Sequence, residues 1–144
     1  MIKQVIDQWY KNKCNLEIYF RETPQRDYSS YTHIVKKIIE LVLNDSSDKS
    51  MNIDPEEISV IDDGYYKGTQ IFFFHRMAYQ PEVDDYYWTN NYYGSCSGCD
   101  TLLGISQYET GLPTNEQVSE YMNLSLNLVQ KIKKLYDVRN YIIG

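Results

Sequence analysis

The chain has 144 residues, of which 42% are hydrophobic and 15% aromatic, and its formal net charge is −6. This length and composition exclude a disordered chain and predict a single domain, residues 1–144, that can bury a core without disulfides or metals. The longest apolar runs are far too short to cross a bilayer, so no membrane partner is expected. The N-terminal residues lack an apolar signal segment and the cysteines number three, which together predict a reduced, cytoplasmic protein.

The first half of the chain predicts two helices with a strand between them. Residues 2–11 can form a short helix, and the alternation of apolar and polar residues from Leu16 to Phe20 predicts a strand with one buried face. From Ser30 to Leu43 the apolar residues recur every three or four positions, which predicts an amphipathic helix capped by Ser29 or Ser30. Residues 44–54 are polar and are expected to form a loop.

The second half predicts a small sheet followed by a long helix. Strands are expected at residues 58–61, 69–77 and 86–93, and the middle one is apolar on both faces, so both faces should be covered. Thr114 and Gln117 match a capping box that starts a helix of about five turns. These elements predict an α+β fold in which a small antiparallel β-sheet packs against two long α-helices.

The negative charge is concentrated in the middle of the chain. Residues 51–120 carry 12 acidic and 2 basic side chains, a net charge of −10, whereas residues 1–50 and 121–144 are slightly positive. An acidic block repels nucleic acid and attracts basic protein surfaces. The alternative is an acidic face that only keeps the protein soluble.

Aromatic side chains lie beside these acids in residues 80–88. Tyr and Trp are frequent in interface hot spots, and flanking carboxylates steer a basic partner toward them. We therefore predict that the segment binds a basic protein, including one that normally grips nucleic acid; the alternative is that the rings fill the core. Direct binding of nucleic acid is not expected, because the rings lie beside acids rather than Lys or Arg. The predicted partner-binding residues are Glu82, Asp84, Asp85, Tyr86, Tyr87 and Trp88.

Cys96 and Cys99 form a C-x-x-C motif in the stretch YYGSCSGCDTL, where Gly94 and Gly98 allow a tight turn. Two thiolates at this spacing can bind one metal ion, which makes zinc the expected cofactor. His75 is the preferred third ligand, although simple hairpin pairing would place it nearer the hairpin turn than the cysteines. The candidates for the remaining ligand are Cys14, His33 and Asp100.

The same motif permits two other interpretations. Cys96 precedes a possible short helix, residues 100–105, whose N-terminus would stabilise a thiolate, so a thiol-dependent redox protein or enzyme is the alternative function. No βαβ pattern surrounds the motif, however, and Asp100 would raise the pKa of the thiols. The third interpretation is a pair of reduced cysteines in a turn of a structural virion or accessory protein.

Three pieces of the sequence between Asp63 and Ile105 carry a resemblance to a known family: Lys67-Gly68-Thr69, Tyr79-Gln80-Pro81 and the stretch from Tyr93 to Leu102. They resemble a family of small, largely uncharacterised proteins of bacteriophages and low-GC bacterial genomes. The resemblance covers under a third of the chain and implies no settled activity. Its phage setting implies an inhibitor of host defence, and the nearest named class is the protein inhibitors of CRISPR effectors. We predict a non-enzymatic interaction protein. A basic host protein such as a CRISPR effector is therefore the expected partner.

Overall fold

The computed structural model describes residues 2–44, 51–65, 67–95 and 98–135, which form four α-helices and one four-stranded sheet. The elements are α1 (Ile2–Glu22), α2 (Tyr31–Ile38), β1 (Ser59–Asp62), β2 (Gly68–His75), β3 (Tyr86–Tyr93), α3 (Thr101–Ser106), α4 (Asn115–Gln130) and β4 (Lys133–Lys134). Neighbouring strands are antiparallel, and their order is β1-β2-β3-β4. The predicted α+β class is confirmed, with two long helices, α1 and α4, packed on a small antiparallel sheet.

Helix α1 continues through the segment where the sequence predicted a strand, so that prediction was wrong. Leu16 and Phe20 are fully buried, whereas Ile18 is 49% exposed. A strand would place all three side chains on one face, whereas a helix turns Ile18 away from the other two. The five residues from Leu16 to Phe20 fit the period of a strand and the period of a helix equally well. The longer pattern favours the helix, because Val5 and Trp9 are buried on the same helical face as Leu16 and Phe20.

The second predicted helix is confirmed, and its last turn is unusual. Ser30 caps α2 by accepting a hydrogen bond from the backbone N–H of His33 (3.2 Å), and the helix continues as a π-helical stretch, Ile39–Leu43. The last carbonyls of a helix have no partner within the helix. Amide side chains on one face of α1 supply donors here: Gln8 to Leu43 O (3.2 Å), Asn12 to Val42 O (2.8 Å) and Asn15 to Leu41 O (3.2 Å).

Strands β2 and β3 form the long hairpin of the sheet, paired from Gly68 opposite Tyr93 to His75 opposite Tyr86. Its inner face, which includes Phe72 and Phe74, is buried against the helices, and the Thr89 hydroxyl on that face donates to the carbonyl of Leu128 in α4 (2.7 Å). The opposite face of β2 is only half-buried. The expectation that both faces are covered is therefore wrong for one of them.

Leu16→Ala and Ile18→Ala test the helical assignment of α1. We expect Leu16→Ala to lower the free energy of unfolding by about 2–5 kcal/mol, because it leaves a cavity in the core. Ile18→Ala should change it by about 0.5 kcal/mol or less, because that side chain is exposed. Urea unfolding monitored by circular dichroism measures both values, and equal losses would contradict the helix.

Candidate functional site

The sheet presents an outer face made of side chains from three neighbouring strands that point away from the helices. Because side chains alternate along a strand, the residues paired across the ladder share this face: Ile61 lies opposite Ile71, and Phe73 lies opposite Trp88. We call outer face the set Ile61, Ile71, Phe73, Tyr86, Trp88 and Tyr92, of which Ile61 and Tyr92 are exposed and the others half-buried. The polar residues Ser59, Thr69, His75 and Asn90 share this face. Apolar side chains grouped at a protein surface are typical of an interaction surface.

Residues 76–85, here called the hairpin loop, connect β2 to β3 at one end of the outer face. The Tyr79 side chain is 98% exposed, and Met77 and Val83 are exposed as well. Glu82 and Asp84 are also exposed. The loop therefore places apolar and acidic side chains together at the surface.

Two of the three carboxylates in the hairpin loop shape its 3-10 turn, Val83–Asp85. The backbone N–H of Glu82 donates to Asp85 Oδ2 (3.0 Å), and the carboxylate of Glu82 accepts from the backbone N–H of Asp85. Asp84 lies between them and takes no part in this capping box. Its charge can therefore be removed without breaking the turn.

The aromatic members of the predicted partner-binding set fall on opposite faces of β3. Tyr86 and Trp88 lie on the outer face, and the Lys133 ammonium lies 5.9 Å from the centroid of the Trp88 ring. Tyr87 points inward, is 3% exposed and stacks on Phe74 with ring centroids 6.1 Å apart. Tyr87 is a core residue, and its prediction as a partner contact was wrong.

The cysteine motif follows β3 at the other end of the hairpin. Cys96 lies outside the described residues, whereas Cys99 is exposed and disulfide-bonded. Cys14, on α1, is a free, exposed cysteine. A sulfur in a disulfide is not a thiolate, so Cys99 in this form is not a metal ligand.

The described candidate ligands of the predicted zinc site are not brought together. His75 and Cys99 follow opposite ends of the ladder, and at about 3.3 Å per residue the seven steps between His75 and Gly68 span about 23 Å. His75 Nδ1 is hydrogen-bonded to the carbonyl of Arg76 (2.8 Å), and His33 Nε2 to the Tyr19 hydroxyl (2.8 Å). No group of three His, Cys, Asp or Glu side chains within the described ranges could hold a metal ion. Zinc stays a prediction.

Asp100, a candidate ligand, instead holds the base of the cysteine loop. Its Oδ1 accepts from the Tyr31 hydroxyl (2.6 Å) and from the Leu103 N–H (3.2 Å), and its Oδ2 accepts from the Gly94 N–H (2.9 Å). Burial, with the hydrogen bond to Asp100 second, raises the pKa of Tyr31 far above its usual value. The sequence signal for this role was an Asp directly before a short apolar helix, which is a typical N-cap.

A second tyrosine–aspartate pair closes the sheet beside the cysteine loop. The Tyr93 hydroxyl, at the end of β3, donates to Asp62 Oδ1 at the end of β1 (2.5 Å). This hydrogen bond raises the pKa of Tyr93 to about 12 and, together with the Gly64 N–H, lowers the pKa of Asp62. The pair thus ties β1 to β3 across β2 next to Gly94.

No protein-family model, curated protein or solved structure matches the chain. Among the helices of the described ranges, none is both long and apolar enough to span a bilayer. Two features of the described structure bear on function: the outer face with its hairpin loop, and the cysteine loop.

Gly94→Ala and Gly98→Ala test how tightly the cysteine loop is packed at its base. A Cβ at Gly94 would press on the carbonyl oxygen of Cys99 and lie 2.9 Å from its Cβ, whereas a Cβ at Gly98 would meet open space. We expect Gly94→Ala to lower the free energy of unfolding by about 1–3 kcal/mol and Gly98→Ala to change it by about 0.5 kcal/mol or less. Both variants keep the backbone N–H, so only the added methyl group differs. Urea unfolding checks this, and equal effects would show that the loop base is not closely packed.

Proposed function

We propose that this protein is a non-enzymatic binding protein that docks its outer face and hairpin loop onto a basic surface of another protein. The observation that carries the proposal is that the outer face continues into the hairpin loop, which carries the fully exposed Tyr79 and the exposed Glu82 and Asp84. Large rings give rigid contact area, and neighbouring carboxylates select and steer a cationic partner.

The charge of the sheet and its loops supports a basic partner. Residues 59–93 carry five acidic side chains, Asp62, Asp63, Glu82, Asp84 and Asp85, and two basic ones, Lys67 and Arg76. Strand β4 adds two cations, Lys133 and Lys134, which pair with Trp88 and Tyr87 near the hairpin-loop end of β3. The acids lie toward the two ends of the β2–β3 hairpin and the β4 cations lie along one edge, which gives the surface a preferred orientation on a basic partner.

The finer part of the proposal concerns which basic protein is bound. Proteins that grip nucleic acid present Lys and Arg clusters to phosphates, and an acidic aromatic surface can occupy such clusters. The resemblance to a phage family favours a host-defence protein of this kind, such as a CRISPR effector. In that setting the protein acts as an inhibitor in the cytoplasm of the host cell, without touching nucleic acid itself.

Trp88→Ala and Asp84→Asn test the docking surface against purified nucleic-acid-handling proteins, a CRISPR effector included, by surface plasmon resonance at physiological salt. Trp88→Ala should weaken binding about thirtyfold, or about 2 kcal/mol, because it removes the central ring. Asp84→Asn should mainly slow association and make it less salt-dependent, because it removes a steering charge without breaking the turn.

Tyr10→Ala is the matched control, because Tyr10 is a 65%-exposed ring on α1, outside the outer face. It should bind like the unaltered protein. The proposal fails if no basic partner is retained at physiological salt, or if Trp88→Ala and Tyr10→Ala bind equally well.

A second candidate function, a thiol-dependent redox protein, is favoured by the exposed disulfide of Cys99. In such a role a substrate dithiol attacks the disulfide and becomes a disulfide itself, while the two sulfurs of the original disulfide take up two electrons and two protons and become thiols. The Asp100 hydrogen bonds hold the base of the loop in place during this exchange.

Thiol counting and metal analysis separate the redox role from the zinc site. For an oxidised loop we expect one thiol per chain, that of Cys14, to react with a chromogenic reagent before reduction, and three after treatment with dithiothreitol. A Cys14→Ser control should give none before reduction and two after it. Thiols protected until chelation, with one zinc per chain by mass spectrometry, would support the metal site and contradict the redox role.

A further inference from the structure

Strand β1 forms one edge of the sheet, and β2 is the strand that pairs with it. All four residues of β1 are exposed, including the apolar Val60 (40%) and Ile61 (54%). Sheets protect exposed edges with very short strands, with Lys or with Pro. The edge strand β4 has two residues, both Lys, whereas β1 has four residues and contains neither Lys nor Pro. Strand β1 is therefore an edge to which a further strand can be added.

The hydrogen bonds of the ladder show which backbone groups β1 directs outward. The N–H of Asp63 donates to the carbonyl of Thr69 (3.2 Å), one step after the last paired residue of β1. Hydrogen-bonded pairs alternate along an antiparallel ladder, so Ile61 is bonded to β2, whereas Val60 and Asp62 direct their N–H and C=O groups away from the sheet. Within the described ranges, no residue forms a hydrogen bond with these four outward groups.

Acidic side chains flank β1 on both sides. Residues 54–63, which contain the strand, carry no basic side chain and five acidic ones: Asp54, Glu56, Glu57, Asp62 and Asp63. The centre of the strand, Val60 and Ile61, is apolar. A second copy of this chain would bring the same acids alongside, and like charges opposite each other destabilise a strand pair. The charge therefore favours a basic occupant over self-association.

We propose that β1 binds an extended segment of another protein that has apolar residues at its centre and Lys or Arg at its ends. Main-chain hydrogen bonds to Val60 and Asp62 supply affinity, and the side chains supply selectivity. The apolar residues of the segment pack against Val60 and Ile61, and its cations lie beside the flanking acids. This site goes beyond the proposed docking surface, because it uses the backbone edge of β1 and does not require the hairpin loop.

The probe is an acetylated and amidated heptapeptide, Lys-Lys-Val-Thr-Val-Lys-Lys. We expect its titration into ¹⁵N-labelled full-length protein to shift the backbone amide resonances of Val60 and Asp62 in a saturable way. The resonance of Ile61 should shift less, because its N–H is already bonded to β2. Saturable shifts centred on the hairpin loop instead would place the peptide on the docking surface and overturn the proposal for β1.

Two altered peptides separate strand pairing from charge attraction. The same peptide N-methylated at its three central residues keeps its charges but cannot donate hydrogen bonds from either side, so it should bind at least about tenfold more weakly. A peptide with Glu in place of every Lys should give no saturable shift, because its charge matches that of the β1 flanks. Equal affinities for the lysine peptide and either altered peptide would overturn the proposal.

Val60→Pro and Val60→Thr test the edge itself. Proline removes the outward N–H, a change that edge strands tolerate when that group faces solvent, and should weaken binding of the lysine peptide about tenfold. Threonine keeps the N–H and the branched side chain, so its variant should bind like the unaltered protein. Urea unfolding checks that both variants fold. Equal peptide affinities of the two folded variants would overturn the proposal, as would a dimer of the unaltered protein that Val60→Pro abolishes, because a second copy would then occupy the edge.

Glu57→Gln provides a test that does not alter the strand. Glu57 is exposed and precedes β1, so removing its charge should weaken binding of the lysine peptide about two- to threefold. Glu120→Gln is the matched control, because it removes an exposed acid from α4 and should leave the affinity unchanged. Equal affinities for the two variants would overturn the proposal.

Discussion

The pairing register of β2 and β3 is the constraint on which the rest of the structure depends. Because side chains alternate along each strand, this one register buries Phe72, Phe74 and Tyr87 and leaves Phe73 and Trp88 on the outer face. A slip of one residue would exchange the two sets and expose the core. The same register separates the two ends of the hairpin, with the acidic hairpin loop at one end and the cysteine loop at the other. Docking and thiol chemistry would therefore occur at opposite ends of the sheet.

The sequence predicts elements well where one period holds over a long segment. The capping box at Thr114 and the apolar stripe after it give α4, and the limits of β3 are correct to the residue. Prediction from the sequence fails where a short pattern fits both the strand and the helix period, as from Leu16 to Phe20. It also fails where the role of a residue depends on partners that are distant in the sequence. Asp100 is such a case, because its hydrogen bond to Tyr31 joins residues 69 positions apart. The aromatic cluster was visible in the sequence, but assigning Tyr87 to the core required the pairing register.

The oxidation state of the cysteine loop bears on which function it serves. Disulfides are rare in a reducing cytoplasm, where those that form are usually transient and belong to catalytic or sensing cysteines. An exposed disulfide such as that of Cys99 fits a protein that exchanges it, or one that works in an oxidising compartment. A cytoplasmic inhibitor with a zinc-bound loop requires the reduced form instead. The redox state of this loop therefore discriminates between the two candidate functions more directly than the acidic charge does, because the acidic charge is compatible with both functions.

The distribution of hydrogen bonds argues that the loop and the outer face do not act as one enzyme site. Catalytic groups are usually held in a cleft with their proton donors and acceptors converging. Here the ionisable groups of the cysteine end are used to hold the structure together: Asp100 binds Tyr31 and Gly94, and Asp62 binds Tyr93. In the hairpin loop, Glu82 and Asp85 also shape the turn, whereas Asp84 is exposed and takes no part in it. The exposed Asp84, in a loop with exposed apolar side chains, supports the proposed binding role, whereas Asp62 and Asp100 serve to hold the structure together.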